Sequence, residues 1–82
     1  MIRLILYGRV DCHLCHEMRA VVDGVVAGRR DVVVEEVDVD SDPALARAYG
    51  LEVPVLAVNG HRAFAGAVTP DALRARLAQE AS

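Results

Sequence analysis

Residues 2–15 read Ile-Arg-Leu-Ile-Leu-Tyr-Gly-Arg-Val-Asp-Cys-His-Leu-Cys, and this stretch decides the fold. Residues 2–7 form a short apolar run that Gly8 ends, which is typical of a buried β-strand. Cys12 and Cys15 follow at the point where helical spacing of apolar residues begins. The stretch therefore predicts a strand-to-helix junction that carries two thiols at the start of the helix.

The next two elements follow from hydrophobic periodicity. Apolar residues in segment 12–27 recur at the spacing of one helix face. They are Leu14, Met18, Val21, Val22, Val25 and Val26. Gly28 stands where a left-handed helix cap is expected. In segment 32–39, Val37 and Val39 alternate with acidic residues, which predicts an edge strand with one wetter face.

Two further helices are predicted by their start signals. Ser41-Asp42-Pro43 and Thr69-Pro70-Asp71 each place a capping side chain before a proline at the first helical position. The first signal begins a short helix over residues 43–49, and the second begins the last helix of the chain. The apolar residues expected to face the core are Leu45, Ala48, Tyr49, Leu73 and Leu77.

Asn59-Gly60 is typical of a two-residue hairpin turn, because both positions tolerate positive φ. It joins predicted strands at residues 54–58 and 61–64, so the element order is β-α-β-α-β-β-α. The first β-α-β unit is then a parallel, right-handed crossover, and the hairpin adds an antiparallel pair. This order predicts a single α/β domain over residues 1–82, with a four-stranded mixed sheet and helices on both faces. Strands 2–7 and 54–58 belong in the centre.

Composition and charge narrow the class of protein. The 82 residues are 54% hydrophobic and 26% charged, which is enough apolar surface for an ordered domain. A net charge of −3 argues against nucleic acid as a partner, because phosphate binding needs a basic surface. No apolar run approaches the ~20 residues of a spanning helix, and the N-terminal segment is too short for a signal peptide. We therefore expect a soluble, cytoplasmic monomer without a membrane partner.

Cys12 and Cys15 are the candidate catalytic residues. Thiols at i and i+3 share a helix face and can form a disulfide, yet that bond closes too short a loop to stabilise the fold. The N–H groups of the first helical turn and the helix dipole favour a thiolate at Cys12. We expect Cys12 to attack a substrate disulfide and Cys15 to resolve the resulting mixed disulfide.

The charges beside the pair act in opposite directions. Arg9, and His13 and His16 when protonated, would stabilise a Cys12 thiolate, whereas Asp11 would oppose it. A moderately lowered Cys12 pKa is therefore expected.

Three other interpretations of the cysteine pair remain open. A zinc site would use both thiols and a histidine, with His61 as the distant candidate ligand. Residues 12–16 also match the C-x-x-C-H pattern of covalent haem attachment, although a β-α-β unit leaves no haem pocket. The two cysteines could instead be small buried hydrophobes without chemistry.

The chain resembles the thioredoxin superfamily, and within it the glutaredoxin-like branch, over nearly its whole length. The resemblance lies in Leu6-Tyr7-Gly8-Arg9, Asp11-Cys12-His13-Leu14-Cys15, Val53-Pro54-Val55-Leu56, Asn59-Gly60 and Gly66. It implies that Cys12 is the nucleophile and Cys15 the resolving thiol. It also implies that Pro54 is cis and that the Val53 backbone pairs with the substrate.

The same resemblance implies a substrate-binding set, namely Arg9, His13, Val53, Pro54 and Gly66. Arg9 would meet a carboxylate of glutathione or of an acidic substrate. The chain departs from the glutaredoxin pattern between the cysteines, where His13-Leu14 replaces Pro-Tyr, and at the double glycine, which is Gly66-Ala67. The aspartate that helps hold glutathione is displaced to Asp71, so glutathione binding is left open.

The function expected from these observations is thiol–disulfide oxidoreduction. The enzyme would reduce or exchange protein disulfides or glutathione mixed disulfides, with glutathione as a candidate reductant and with no bound cofactor or metal. One alternative is a carrier that holds an iron–sulfur cluster or metal through Cys12. Another is a module that binds a peptide at Val53-Pro54 without turnover.

Overall fold

The computed structural model describes residues 1–81. The helices and strands are β1 (Ile2–Gly8), α1 (His13–Val26), β2 (Val32–Asp38), α2 (Pro43–Tyr49), β3 (Val55–Val58), β4 (His61–Ala65) and α3 (Pro70–Ala81). This is the predicted element order. Strand β2 ends one residue earlier than predicted, because Val39 begins a 3₁₀ turn, Val39–Ser41, that leads into α2. Among residues 1–81, no helix is both long enough and apolar enough to cross a membrane.

The four strands form one mixed sheet in the order β2-β1-β3-β4. Strand β1 pairs parallel with β2 and antiparallel with β3, and β3 pairs antiparallel with β4. Strands β1 and β3 are central in the sheet, and β2 lies at its edge. Both placements were expected from the sequence of these strands and are confirmed. Tyr7 pairs with Val55, so the end of β1 and the start of β3 lie at the same end of the sheet.

The hydrophobic core lies between one face of the sheet and helices α1 and α3. Its fully buried side chains come from both helices and from the central strands, and include Leu4, Leu6, Met18, Val22, Leu56, Leu73 and Leu77. Burying one such side chain contributes about 1.5–3 kcal/mol relative to leaving it exposed. The predicted inward positions of Leu73 and Leu77 are confirmed.

Helix α2 covers part of the opposite face of the sheet. Side chains alternate along a strand, so Tyr7 points away from the core. Its ring stacks on Tyr49 of α2 with the ring centroids 4.1 Å apart. Burial raises the pKa of the Tyr7 hydroxyl. The expected burial of Ala48 is wrong: this residue is exposed and Leu45 is half-buried, because so short a helix meets the sheet mainly through Tyr49.

The start signals of α2 and α3 and the hairpin turn form as predicted. The Asp42 carboxylate accepts the Ala44 N–H at 2.8 Å, and the Thr69 hydroxyl oxygen accepts the Ala72 N–H at 3.1 Å. Both residues of the turn Asn59-Gly60 have positive φ, 50° and 85°. These local interactions fix where the helices begin and where the chain reverses.

Candidate redox site

Cys12 is the N-cap residue of α1, with an extended backbone. Its Sγ accepts the Cys15 backbone N–H at 3.1 Å, and its carbonyl accepts the His16 N–H at 3.1 Å. The sulfur occupies the position that an oxygen of Ser, Thr, Asp or Asn takes in a common N-cap. A hydrogen bond donated to the sulfur stabilises the anionic form more than the thiol.

Cys12 and Cys15 form a disulfide, and their Cα atoms lie 5.2 Å apart. The two residues differ in accessibility, since Cys15 is only 1% exposed whereas Cys12 is half-buried. Cys15 takes a place in the buried stripe of α1 with Met18, Val22 and Val25. A second molecule can therefore approach Cys12 more easily than Cys15.

Leu14 does not belong to the buried stripe, contrary to the periodicity prediction, and is 51% exposed. Successive helical residues are rotated by about 100°, so a stripe centred on Cys15 turns Leu14 to its flank. Leu14 instead lines a surface cleft of about 100 Å³, between the first turns of α1 and the segment 66–68 that follows β4.

Gly8 provides the space that Cys15 occupies. A Cβ at Gly8 would lie 3.0 Å from Cys15 Sγ and 3.1 Å from Cys15 Cβ. The backbone of β1 thus packs directly against the redox pair. The sequence pattern indicates only that Gly8 ends a strand, and no local pattern gives this contact.

Val53 and Pro54 immediately precede Val55, which pairs with Tyr7 at the end of β1. They therefore lie at the same end of the sheet as the disulfide, since Cys15 packs against Gly8. The Val53–Pro54 peptide bond is cis, as the resemblance implied. The Pro54 carbonyl accepts the Gly66 N–H at 2.8 Å, which holds the glycine turn against this segment. Within residues 1–81, none of the hydrogen bonds between main-chain atoms involves Val53.

The Arg9 guanidinium bonds to two distant segments of the chain. Its Nε donates to the Asp40 carboxylate at 3.1 Å, and its Nη1 donates to the Gly50 carbonyl at 2.7 Å. Arg9 therefore connects the loop before Cys12 with the end of α2. Its contact with a substrate carboxylate stays a prediction.

The two histidines near the pair have different surroundings. His13 is exposed, and its Nε2 lies 3.2 Å from the Glu17 carboxylate, which gives an ion pair when His13 is protonated. His16 Nε2 lies 2.8 Å from the Val10 carbonyl. A carbonyl only accepts, so this nitrogen carries the hydrogen and ties the loop to α1. An effect of His13 on a Cys12 thiolate stays a prediction.

The zinc interpretation that relied on His61 is wrong. His61 pairs with Val58 near the hairpin turn, at the opposite end of the sheet from the disulfide. Over residues 1–81, no three His, Cys, Asp or Glu side chains are grouped so that they could hold a metal ion.

A larger cleft of about 400 Å³ lies on the other side of the loop before Cys12. It is lined by residues 8–10, His16 and the end of β2, residues 36–38. Together with the smaller cleft beside Leu14, it leaves open surface on both sides of the start of α1.

Comparison with known proteins agrees with this architecture. The glutaredoxin-like domain (DUF836) matches residues 3–78. The X-ray structure of protein XcR50 from X. campestris is 38% identical, with 93% of this chain and 96% of that chain covered and a TM-score of 0.77. Protein Ne2328 from Nitrosomonas europaea is 28% identical, with 92% and 89% covered and a TM-score of 0.76.

Desulfothioredoxin from Desulfovibrio vulgaris Hildenborough, in its reduced form, is 29% identical. The match covers 95% of this chain and 80% of that chain, with a TM-score of 0.74. None of the curated proteins matches the sequence significantly. A thioredoxin-like fold with paired cysteines at disulfide distance supports redox chemistry at Cys12 and Cys15.

Proposed function

The chain belongs to the glutaredoxin-like domain family, and from this premise we propose that it is a thiol–disulfide oxidoreductase. It reduces or exchanges protein disulfides or glutathione mixed disulfides through Cys12 and Cys15. The observation that carries the proposal is the Cys12 sulfur at the N-cap of α1, where it accepts the Cys15 N–H at 3.1 Å and lies next to its disulfide partner.

The reaction proceeds in two exchange steps, in which each new S–S bond replaces a broken one. The Cys12 thiolate attacks one sulfur of the substrate disulfide and forms a mixed disulfide, and the other substrate sulfur leaves as a thiolate that takes up a proton. Cys15 then loses its proton and attacks the Cys12 sulfur. This step forms the Cys12–Cys15 disulfide and releases the second substrate thiolate. Two electrons pass to the substrate. Two molecules of a small thiol such as glutathione then restore the dithiol and leave as their own disulfide.

The different surroundings of the two sulfurs support this division of roles. Cys12 is the more accessible residue and receives the helix N–H, so it is the sulfur that attacks the substrate and that Cys15 then attacks in the mixed disulfide. Cys15 is buried against Gly8, which keeps it from reacting with a second molecule.

Val53 is the proposed main-chain contact for the substrate. It lies at the same end of the sheet as the disulfide, and within residues 1–81 its own main chain takes part in no main-chain hydrogen bond. An extended peptide that carries a cystine could add to this segment as a short strand. Pro54 and Gly66, joined by their 2.8 Å hydrogen bond, would form the floor beneath it.

Cysteine variants test the proposal. We expect Cys12→Ser to reduce disulfide exchange to the uncatalysed rate, because it removes the attacking sulfur. Cys15→Ser should accumulate a mixed disulfide at Cys12, since nothing resolves it, and mass spectrometry of the intact protein measures the adduct. His61→Ala, at the far end of the sheet, serves as the control with wild-type rates.

Two results would contradict this function. One is a reduced wild-type protein that exchanges with neither a protein disulfide nor a glutathione mixed disulfide. The other is a pair of thiols that both titrate near the ordinary cysteine pKa of about 8.5. Visible absorbance after anaerobic purification would favour the cluster-carrier alternative instead.

A further inference from the structure

The Arg9 side chain connects the loop before Cys12 with two segments that are distant in sequence. Arg9 lies in the loop that precedes Cys12, and its side chain is 32% exposed. Its Nε donates to both carboxylate oxygens of Asp40, at 3.1 and 3.3 Å, while Nη1 donates to the Gly50 carbonyl at 2.7 Å. One guanidinium therefore joins the Cys12 loop to the 3₁₀ turn after β2 and to the end of α2.

Gly50 is shaped to receive this side chain. Its backbone has right-handed helical values, φ −57° and ψ −31°, so its conformation does not require glycine. A Cβ at this residue would overlap the Ala46 carbonyl oxygen first, and it would also lie 2.9 Å from Arg9 Nη2. Gly50 is buried, and the Ala46 carbonyl and the Arg9 guanidinium together leave no room for a side chain there.

Residues 48–52, whose Gly50 carbonyl accepts a hydrogen bond from Arg9, lead directly to Val53 and Pro54. The other side of this segment is held by Arg62 of β4, which pairs with Glu52, lies over the Tyr49 ring and donates to the Ala48 carbonyl at 3.4 Å. The segment is thus fixed from β4 by one arginine and from the Cys12 loop by the other. Only the Arg9 contact links this segment to the loop that carries the nucleophile, among the hydrogen bonds within residues 1–81.

The charge of Arg9 is already compensated. Arginine recognises a carboxylate best through two parallel N–H donors, and here Asp40 and a backbone carbonyl engage the guanidinium. A substrate carboxylate would have to displace Asp40 or share the cation with it. The geometry therefore favours an internal role for Arg9 over a contact with glutathione.

We propose that Arg9 is a positioning residue, which sets the separation between Cys12 and the Val53–Pro54 segment and does not bind a substrate carboxylate. This inference rests on the proposed oxidoreductase function. It deepens that function, since it means that Arg9 does not select substrates by their acidic groups.

The test compares two substrates, one with free carboxylates and one in which esterification removes their charge. One is a mixed disulfide of glutathione, and the other is the same compound with its carboxylates esterified. In the wild type and in Arg9→Met, kcat/KM is measured for both. We expect Arg9→Met to lower both values by the same factor, roughly 10- to 100-fold, because a small misplacement of reacting groups lowers the rate this much. The acid-to-ester ratio should not change, and this ratio does not depend on the fraction of protein that is folded.

Asp40→Asn distinguishes a positioning role of Arg9 from a substrate-binding role, because the two roles predict different changes in kcat/KM. If Arg9 positions the loop, removing its partner lowers kcat/KM for acid and ester alike, and the double variant is no worse than Arg9→Met. If Arg9 binds substrate, Asp40→Asn frees the cation and raises kcat/KM for the acid alone. Arg9→Lys should not restore the rate, because one ammonium cannot reproduce the planar donor set.

The matched control is Arg29→Met. Arg29 is 31% exposed and pairs with Asp31 at 2.7 Å, in a comparable ion pair at the opposite end of β1. It should leave both rates unchanged. Two results would overturn this inference while leaving the proposed function intact. One is a lower acid-to-ester ratio of kcat/KM in Arg9→Met than in the wild type, and the other is a higher kcat/KM for the acid in Asp40→Asn. A wild type inert toward both compounds and toward a protein disulfide would contradict the proposed function, and this inference with it.

Discussion

Gly8 and Cys15 illustrate how the redox pair constrains a residue in another element. The Gly8 backbone shows no left-handed φ, so the need for glycine comes from space alone. Protein interiors are packed as densely as organic crystals, and a methyl group added here meets the sulfur and Cβ of Cys15. The position of Cys15 in helix α1 therefore explains why residue 8, at the end of β1, is a glycine.

Gly8→Ala should destabilise the oxidised protein by about 1–3 kcal/mol, the usual effect of overpacking a core position. Because the new contact is to Cys15, the variant should also resolve the mixed disulfide more slowly. Urea unfolding without reductant measures the first effect, and the lifetime of the mixed disulfide measures the second. A variant as stable as the wild type would show that the strand shifts without cost and that the close approach is unimportant.

The sequence predicts the residues of the site better than it predicts their contacts. Cys12, Cys15 and the cis Pro54 follow from a motif and a resemblance, because each carries a local signature. The partners of Arg9 do not, since Asp40 and Gly50 lie 31 and 41 residues away along the chain. An ion pair over such a distance depends on how the elements pack, and no spacing within the sequence encodes it.

Helix α1 contains a glycine that no contact explains. Gly24 is exposed, and a Cβ there would meet nothing within 4 Å. Glycine in a helix interior is less favourable than alanine by about 0.5–1 kcal/mol. Gly24→Ala should therefore raise the free energy of unfolding by that amount and leave disulfide exchange unchanged. Thermal unfolding and the exchange rate check both parts, and a lower midpoint would mean that residue 24 has a contact or a conformation incompatible with a side chain.

The sequence predicts where helices and turns begin better than it predicts which side of a helix is buried. Capping side chains and turn residues act locally, so the starts of α2 and α3 and the hairpin turn were predicted correctly. The rotation of a helix about its axis depends on what it packs against. That is why the apolar spacing places Leu14 on the buried face of α1, which Cys15 occupies instead, and why Ala48 of α2 is exposed.

At the scale of the whole molecule, the two ends of the sheet carry different groups of residues. One end carries the redox pair, Arg9 and the Val53–Pro54 segment. The other end is closed by Asn59, whose N–H donates to the Arg3 carbonyl at 2.8 Å and whose Oδ1 accepts the Arg3 N–H at 2.8 Å. Asn59 Nδ2 also donates to the Glu80 carboxylate of α3 at 3.0 Å, which links the hairpin to the last helix.

The pH dependence of stability follows from this closed end. Hydrogen bonds from Arg76, and secondarily from Asn59, lower the pKa of Glu80 from its ordinary value of 4.5. A hydrogen bond from Arg29 likewise lowers the pKa of Asp31 from 3.8. A carboxyl whose pKa is lower in the folded state contributes stability above its unfolded pKa, and this contribution disappears as the pH falls through the folded pKa. Stability should thus decrease as the pH is lowered from about 5 to below 4.

Glu80→Gln isolates the contribution of one carboxylate to this loss. The variant should be less stable than the wild type near neutral pH, where the Glu80 charge is bound by Arg76, and the difference should vanish once acid protonates Glu80 in the folded protein. Urea midpoints measured across that pH range give the difference directly. Arg76→Met should reproduce it, and combining both changes should add little, because the main partner of the charge is already gone. If the urea midpoints of the wild type and Glu80→Gln differ by the same amount down to low pH, the contact between α3 and the hairpin does not depend on the charge of residue 80.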